Sequence, residues 1–463
     1  MLIYSFMVLV SVCLCIIPAV RAIKRAGLFS IVFIMPCVSL ISKGASAIAL
    51  DLGTYVSELG FTTWNVYSAP LYFLCLAVFF AFLNMFISLQ MKSFEANSYR
   101  RIAVKCDNFF YEVIPCIGIL MAAYLVVDML LSGVPLLSNG SITRFNFWDT
   151  YSRLPQAELV SNFITVVSVA LGFIYASSLL DEKSGNRCII LVVVFICVRF
   201  LLGYKVSGIS DLVIGFAVGY LLRRYTTSEL PTNSFAKAIK YLISVCAIAV
   251  CSYLAWQLAS GSASSLIEAI DLLIERQFSL SSHMWWSVVE EGSDIIGLFP
   301  NDMSELSSVL EGKTEFSTDI GVYGLMDRYA QDIVFANYVS NGVRFGACFI
   351  TVSLFYNGIL ITIAMVVFNA FALSIFLRLF LADAACNRIL SFAVLYRIFI
   401  VFSSYLTASG TLVSFYRPNM LILVLVYIFL RLVENQINQK RSARHSMSGN
   451  KSMRVRGYGY GLS

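Results

Sequence analysis

Long runs of apolar residues, separated by short charged interruptions, constrain the fold of this sequence more than any other feature. The hydrocarbon core of a bilayer is about 30 Å thick, so a helix needs roughly 20 apolar residues to cross it. Hydrophobic residues make up 59% of the 463 positions and charged residues 13%, whereas a soluble domain is about half apolar and about a quarter charged. The sequence therefore predicts an all-α polytopic membrane protein.

About eleven transmembrane helices are predicted from the positions of these runs. The first run is not preceded by the basic region of a cleavable signal peptide, because Arg21, Lys24 and Arg25 follow it, so we expect it to be a membrane helix. The predicted spans are residues 2–20, 28–50, 66–90, 109–132, 159–180, 188–203, 208–222, 241–259, 347–377, 389–409 and 419–433.

These spans divide the chain into four parts. Residues 1–259 hold transmembrane helices 1–8, with a loop at about 133–158. Residues 260–346 form one large loop, and residues 347–433 hold helices 9–11. The basic tail at 434–463 is rich in Ser and Gly, and we expect it to be disordered because it cannot bury an apolar core.

The distribution of Lys and Arg orients the predicted helices. With the N-terminus outside, 22 of the 33 basic residues fall on the cytoplasmic side, nine fall outside and two, Arg199 and Arg397, lie within spans. Cytoplasmic segments carry an excess of Lys and Arg, so both loops are predicted to be outside. The net charge of +6 therefore follows the membrane topology, and nucleic acid is not an expected partner.

The large loop begins with a stretch, 266–278, whose apolar residues recur at helical spacing. Such a helix is typical of an element lying at the membrane interface. It leads to His283 and then to the pair Trp285 and Trp286. The tryptophans have two interpretations, as anchors in the interfacial aromatic belt or as a platform on which a sugar stacks beside a titratable group.

Basic residues in the outer loops are candidate anion ligands. The large loop holds thirteen carboxylates against four Lys and Arg, which include Arg276, Arg328 and Arg344. A guanidinium binds phosphate oxygens in a bidentate fashion, although each arginine could equally pair with a neighbouring carboxylate. Arg144 lies among aromatic residues in the smaller loop, and Lys205 lies in a Gly-bounded outer turn.

Two arginines are predicted to lie inside the membrane. A charge at bilayer depth is costly unless it faces a partner or a polar cavity. Arg199 is close enough to the outer end of its span to reach the interface by snorkelling. Arg397 is nearer mid-span, and we expect it to form a structural or functional ion pair within the bundle.

Several classes of chemistry lack their sequence signatures. The chain contains no GxxxxGK[ST] loop, no HExxH motif and no Cys/His cluster with zinc spacing. Only two histidines are present, which excludes a histidine-built metal site, and no cofactor is predicted. None of the twelve cysteines falls in the two outer loops, so a disulfide framework there is excluded.

Four outer segments, taken in order and with their sidedness, resemble the O-antigen polymerases (Wzy family) of Wzx/Wzy-dependent polysaccharide assembly. They are residues 144–148, 203–208, 275–286 and 324–345. The resemblance implies a GT-C-like fold and a membrane glycosyltransferase. Such an enzyme joins undecaprenyl-diphosphate-linked oligosaccharide repeat units at the periplasmic face of the bacterial inner membrane.

The resemblance also implies roles for the candidate residues. His283 is the candidate catalytic base and Glu275 its alternative. Cations are needed where the diphosphate leaves, because negative charge accumulates there. The expected diphosphate and sugar ligands are Arg276, Arg328 and Arg344, assisted by Lys205 and Arg144, together with Trp285 and Trp286.

The expected partners are the lipid-linked repeat unit, the growing polymer and the bilayer, with a chain-length-regulating co-polymerase and the repeat-unit flippase as further candidates. Two alternatives remain at this point. An O-antigen ligase would share the topology and the large periplasmic loop. A lipid-linked oligosaccharide flippase would be expected to concentrate charges in its spans and to have short outer loops.

Overall fold

The computed structural model describes residues 2–96, 108–138, 142, 146–177, 182–204, 206–227, 235–259, 261, 263–292, 311, 317, 320–340, 343–415 and 418–456. These residues are mostly helical, and the strands within them form one short antiparallel hairpin, β1 (Tyr55–Val56) and β2 (Phe61–Thr62). The prediction of an all-α polytopic membrane protein is confirmed at this level.

Fifteen α-helices lie in the described part of the chain, joined by short 3-10 and π segments. The helices are α1 (Leu2–Ala26), α2 (Ile34–Asp51), α3 (Ser68–Ala96), α4 (Asn108–Ser132), α5 (Ala157–Ser177), α6 (Glu182–Leu201), α7 (Val206–Thr227), α8 (Phe235–Ala259), α9 (Leu266–Phe278), α10 (His283–Glu291), α11 (Gly321–Tyr329), α12 (Asp332–Ser340), α13 (Phe349–Ala385), α14 (Ile389–Ser404) and α15 (Pro418–Arg456).

Eight helical segments of the described residues are long and apolar enough to cross a bilayer. Helices α6, α7 and α8 cover the three remaining predicted spans, so each predicted span has a helix at its position. The number of crossings stays a prediction. The eight segments are Leu2–Val32, Ile34–Asp51, Ser68–Lys92, Glu112–Leu137, Ala157–Ser177, Phe349–Ala385, Ile389–Ser409 and Pro418–Ile437.

Hydrogen bonds between helix ends fix the directions of neighbouring helices. Tyr4, at the start of α1, donates to Asp51 at the end of α2 (3.2 Å), and Asp51 accepts from the amide of Ser68 where α3 begins. At the other end of the bundle, Arg223 of α7 donates to the hydroxyl of Ser177 at the end of α5 and to the carbonyl of Ala384 near the end of α13. Helices α1 and α3 therefore run opposite to α2, and α5, α7 and α13 run in the same direction as one another.

Both long loops lie on the same face of the bundle. The smaller loop precedes α5 and the large loop precedes α13, and both of these helices end at the face that holds Arg223. The large loop also contacts the start of α3, where the indole of Trp285 donates to the carbonyl of Ser68 (2.9 Å). We call this end of the bundle the loop face, and the end that holds Arg223 the opposite face.

Helices α5 and α7 approach closely through glycines. A Cβ atom on Gly172 would lie 2.0 Å from the carbonyl oxygen of Phe216, and one on Gly219 would lie 2.2 Å from that of Val169. Small residues let membrane helices pack backbone to backbone, where van der Waals contacts replace the absent hydrophobic driving force. This pair forms the tight centre against which α14 packs.

Helices α13 and α15 differ from what the sequence predicts. Helix α13 contains a non-helical residue, Gly358 (φ 70°, ψ 178°), which interrupts the span predicted at 347–377. The tail expected to be disordered from residue 434 instead continues α15 to Arg456, while residues 457–463 lie outside the described part. Glu434 is hydrogen-bonded to the start of α14, and residues 435–456 contain no proline that would end the helix.

Candidate functional site

The helix predicted at the start of the large loop is confirmed as α9, Leu266–Phe278. Its first turn is capped by Ser265, whose hydroxyl accepts from the amide of Glu268 (3.2 Å); such a cap stabilises a helix by about 1 kcal/mol. Ile267, Ile270 and Ile274 project from the protein surface. This exposed apolar stripe suits a helix that meets lipid at the interface.

The large loop is fastened to the membrane bundle at both of its ends by one lysine. Lys43 in α2 is 7% exposed, and its ammonium donates to the carbonyls of Ser281 (2.8 Å) and Gly346 (3.2 Å). The carbonyl of Lys43 accepts the hydroxyl of Ser282 (2.7 Å). The topology count places Lys43 in an outer segment, whereas it lies within a membrane helix and holds the loop in place.

The two predicted tryptophans lie inside the protein. Trp285 and Trp286 are 1% and 0% exposed, and their indole nitrogens donate to the carbonyls of Ser68 and Trp64, each at 2.9 Å. Neither indole offers a face to a sugar or to lipid, so both interpretations of the pair are wrong. The reason is tertiary, because α10 lies over α2 and α3 and turns both side chains into the core.

An exposed tryptophan outside the predicted segments lies against this buried pair. Trp64, which follows the β-hairpin, is 50% exposed and packs edge to face on Trp286, with ring centroids 5.1 Å apart. Phe61 on β2 is also exposed and packs at 5.8 Å from Trp64. These two side chains form the aromatic surface that the buried pair was expected to provide.

His283 lies at the centre of a buried polar network. It is 1% exposed, and its Nε2 atom lies 2.9 Å from Oε2 of Glu58. The other carboxylate oxygen of Glu58 accepts the hydroxyl of Tyr338 (2.6 Å). Burial, followed by the adjacent Glu58 carboxylate, raises the pKa of Tyr338 well above its usual value. We call these three residues the His283 network.

The protein holds the His283 ring on one side. Its Nδ1 atom lies 2.9 Å from the carbonyl of Leu280, and a carbonyl can only accept, so Nδ1 carries a proton. Its Nε2 atom faces Oε2 of Glu58 at 2.9 Å, but neither atom makes a hydrogen bond among the described residues. The ring packs edge to face on Phe345, and its role as a base stays a prediction.

Glu275 and Arg276 lie at the end of α9, next to the His283 network. Glu275 is half-buried and accepts the hydroxyl of Ser57 (3.2 Å), which precedes Glu58. Arg276 is exposed, and its charge acts on the hydroxyl of Tyr338. The structure thus brings both candidates close to each other at the protein surface, with Glu275 as the accessible carboxylate.

The two remaining arginines of the large loop have different environments. Arg328 is 51% exposed and forms a bidentate pair with Glu291, which also accepts the hydroxyl of Tyr329. Arg328 therefore pairs with a carboxylate, which is the alternative that the sequence left open for the loop arginines. Its guanidinium is already bound by the protein. Arg344 is half-buried and precedes Phe345, the residue that packs on His283. Arg144 and Lys205 lie outside the described residues.

A second basic group lies within the bundle near the loop face. Arg199 (4% exposed) donates to the carbonyl of Ser161 (2.5 Å), and its guanidinium lies 4.1 Å above the ring of Tyr204. Asp211 interacts electrostatically with both Arg199 and Arg397. Arg397 also interacts electrostatically with Glu158, and the expectation that it forms an ion pair in the bundle stays a prediction.

This group, the Arg199–Asp211–Arg397 cluster, is incompletely bonded. Asp211 acts electrostatically on both guanidiniums, Glu158 acts on Arg397, and the buried Nε atom of Arg199 has no hydrogen-bond partner among the described residues. Ser161 and Asp211 are the fifth and sixth residues of α5 and α7, which places the cluster about 6–9 Å below the helix ends at 1.5 Å per residue. An anion entering from the loop face would complete it.

The sequence did not point to the two carboxylates, Glu58 beside His283 and Asp211 beside the arginines. Glu58 lies in a short segment between two spans, and Asp211 follows an outer turn; neither has a motif around it. Asp211 could have been singled out because it lies within a predicted span, where an ionisable residue is a functional candidate. Glu58 and Tyr338 gave no such signal, since 280 positions separate them in the chain.

The C-terminal part of the large loop and the helices after it match a known family model. Residues 315–424 match a family of unknown function (DUF6418). This match covers less than half of the chain and carries no activity. Neither the curated proteins nor the solved structures contain a match to this chain.

Proposed function

We propose that the chain is a membrane glycosyltransferase that joins oligosaccharide repeat units carried on a polyprenyl diphosphate, as O-antigen polymerases do. The observation that carries this proposal is the Arg199–Asp211–Arg397 cluster, which places two guanidiniums and a buried, unbonded Nε atom of Arg199 just below the loop face. The charge distribution of the sequence predicts that the loop face is outside, and the family resemblance implies that it is the periplasmic face of the bacterial inner membrane.

The chemistry requires cations at the leaving group. When the growing chain leaves its lipid, negative charge develops on the diphosphate, and donors fixed in a low-dielectric site stabilise that charge most effectively. Guanidiniums bind such oxygens in bidentate geometry. The half-buried Arg397 and the buried Arg199 lie at a depth where a diphosphate could bind while its polyprenyl tail stays in the bilayer.

The acceptor hydroxyl requires a base or an orienting acceptor. Glu275 is the candidate, because it is half-buried, lies on the loop face and, among the described residues, its carboxylate accepts only the hydrogen bond from Ser57. The exposed Trp64 offers the aromatic face on which a sugar ring can stack. In this proposal His283 is a positioning residue, which holds the loop segments that carry Glu275 and Arg344.

The test is polymer synthesis by the purified full-length protein. Lipid-linked repeat unit isolated from the source strain is added without nucleotide, and products are separated by size. We expect wild-type protein to form polymer and Arg397→Gln to be slower by about 10²–10³-fold, the effect of losing one transition-state donor. The matched control is Arg25→Gln, which removes a guanidinium that donates to the carbonyl of Asn84 at the opposite face.

The base assignment has its own pair of variants. Glu275→Gln should abolish polymer synthesis with little change in thermal stability, because its side chain is half-buried and weakly bonded. His283→Gln should lower activity and stability together, since it breaks a buried network. Full stability with complete loss of activity in His283→Gln would restore that histidine as the base.

A transporter is favoured by one observation. Helices of the membrane bundle hold the charged residues Lys43, Asp211 and Asp383 in addition to the two predicted arginines, so charges within helices are more numerous than the sequence count suggests. A flippase would move the lipid-linked unit without forming polymer. Purified protein that translocates the unit across vesicles and yields no polymer would therefore replace the proposal.

A deletion strain separates the polymerase from the ligase. Loss of a polymerase leaves lipopolysaccharide capped by a single repeat unit, whereas loss of a ligase leaves core without any O-antigen. The single-unit product is the expected one. Ladders of wild-type length in the deletion strain would contradict both enzymes.

A further inference from the structure

A cavity lies between α3, α13 and α15 near the opposite face, well away from the proposed catalytic site. Its volume is about 350 Å³, within the range of about 300–1,000 Å³ typical of small-molecule pockets. The lining consists of two arginines, one glutamine and an apolar wall: Gln90, Phe371, Ile375, Arg378, Leu379, Ala382 and Arg431.

The positive charge of this cavity is only partly compensated. Arg378 is half-buried and donates to the amide oxygen of Gln90 (3.2 Å), a neutral partner. Arg431 contacts Asp383 through its Nε atom (3.3 Å), but Arg388 binds the same carboxylate oxygen more closely (2.7 Å). Among the described residues, no carboxylate is recorded against Arg378, so the cavity retains a positive charge.

The neighbouring carboxylate, that of Glu434, is already hydrogen-bonded to α14. Glu434 accepts hydrogen bonds from the amides of Leu390 and Ser391 and from the hydroxyl of Ser391, so it caps the start of α14. It cannot swing towards the cavity without uncapping that helix. Arg378 therefore has no anionic partner among the described residues, and Arg431 shares its partner with Arg388.

The cavity adjoins surfaces that face lipid. Phe371 is exposed and packs on Phe86 of α3, while Leu89 next to Gln90 and Leu432 next to Arg431 are exposed apolar residues. Arg378 is seven residues before the end of α13, about 10 Å along the helix at 1.5 Å per residue. At this depth the acyl chains of a phospholipid meet its headgroup. An apolar wall below two guanidiniums suits that part of a lipid.

We propose that this cavity binds the phosphodiester headgroup of an anionic phospholipid from the leaflet at the opposite face. Arg378 and Arg431 contact the phosphate oxygens, Gln90 contacts a headgroup hydroxyl, and Phe371 and Ile375 pack against the first acyl carbons. Basic pockets between membrane helices bind such headgroups by charge complementarity. The site is independent of the proposed glycosyltransferase activity.

The experiment is native mass spectrometry of the full-length protein released from nanodiscs that contain phosphatidylglycerol and phosphatidylcholine in equal amounts. We expect wild-type protein to retain phosphatidylglycerol preferentially. Arg378→Gln should reduce that retention by about five- to tenfold, since one basic residue near the surface contributes about that factor. Arg25→Gln, which removes a basic residue outside the cavity, should leave retention unchanged.

Two further arms keep the proposal falsifiable. Arg378→Lys preserves the charge and should retain more phosphatidylglycerol than Arg378→Gln, which distinguishes lost binding from lost folding. Inorganic phosphate at millimolar concentration should not displace the lipid, because it lacks the acyl contacts. Equal retention of the two lipids, unchanged retention in Arg378→Gln, or displacement by phosphate would each overturn the proposal.

Discussion

The two charged clusters of the bundle differ in how completely the protein satisfies them. At the opposite face, Asp383 is fully buried and is held by Arg388, Arg431 and the hydroxyl of Tyr427 (3.0 Å). At the loop face, Asp211 is half-buried and acts on Arg199 and Arg397 without a close ion pair among the described residues. Within the described part of the chain, a buried arginine Nε atom is unbonded in both clusters, in Arg199 and in Arg388. We infer that the first cluster is structural and that the second is open to a ligand.

The comparison teaches that charged groups inside a membrane protein are best judged by how completely their atoms are bonded. Isolated buried charges are costly, and a buried pair repays this cost only if its remaining donors and acceptors are bonded. The carboxylate of Asp383 comes close to that condition, with two ion pairs and the hydrogen bond from Tyr427. The carboxylate of Asp211 has no comparably close partner among the described residues.

The largest expected effect is that of Asp383→Asn on stability. The substitution removes the carboxylate between Arg388 and Arg431 and leaves a buried guanidinium uncompensated, which typically costs about 3–5 kcal/mol. Thermal unfolding of the purified protein in detergent measures the effect. An unchanged Tm would mean that the cluster at the opposite face is not structural and would remove the contrast.

Asp211→Asn is the matched change at the loop face, and we expect a loss of about 1–3 kcal/mol, the cost of leaving buried groups without their partner. Here an added anion can replace the missing carboxylate. Millimolar pyrophosphate should therefore recover most of the lost Tm in Asp211→Asn and none of it in Asp383→Asn. Equal recovery in both variants, or in neither, would refute the assignment of the loop-face cluster as the ligand site.

A smaller effect on stability is expected in the His283 network, which is buried at the loop face. Tyr338→Phe removes the donor to Glu58 and should cost about 1 kcal/mol near neutral pH. The pKa of Tyr338 is raised in the folded protein, so above its unfolded value of about 10 the unfolded state binds fewer protons and stability falls as pH rises. Wild-type and variant Tm values should therefore converge above pH 10, and a constant difference up to pH 11 would contradict this account.

The smallest effect is expected for Arg328→Gln. Arg328 is 51% exposed and paired with Glu291, and exposed pairs contribute about 0.2–1 kcal/mol. Polymer synthesis should stay within about twofold of wild type, because less than 0.5 kcal/mol of barrier corresponds to about that factor. A large loss of activity with normal stability would return Arg328 to the diphosphate site and weaken the comparison between the clusters.

The sequence by itself determined that this protein lies in a lipid bilayer and where most of its helices are. Apolar runs of membrane-spanning length can be satisfied only as helices, because no water is available inside the bilayer to bond free backbone groups. The same local logic located α9, since an amphipathic period and a capping serine are encoded within a few neighbouring residues.

Only the tertiary structure decided which side chains meet. Trp285 and Trp286 have a sequence typical of an interface, yet α10 turns them into the core; His283 is engaged by Glu58 from 225 positions earlier in the chain; and Asp211 joins two arginines from different helices. Hydrophobic period is a local property and can be read along the chain. Pairing of buried charges depends on how distant helices pack, and single residues without a motif give no sign of it.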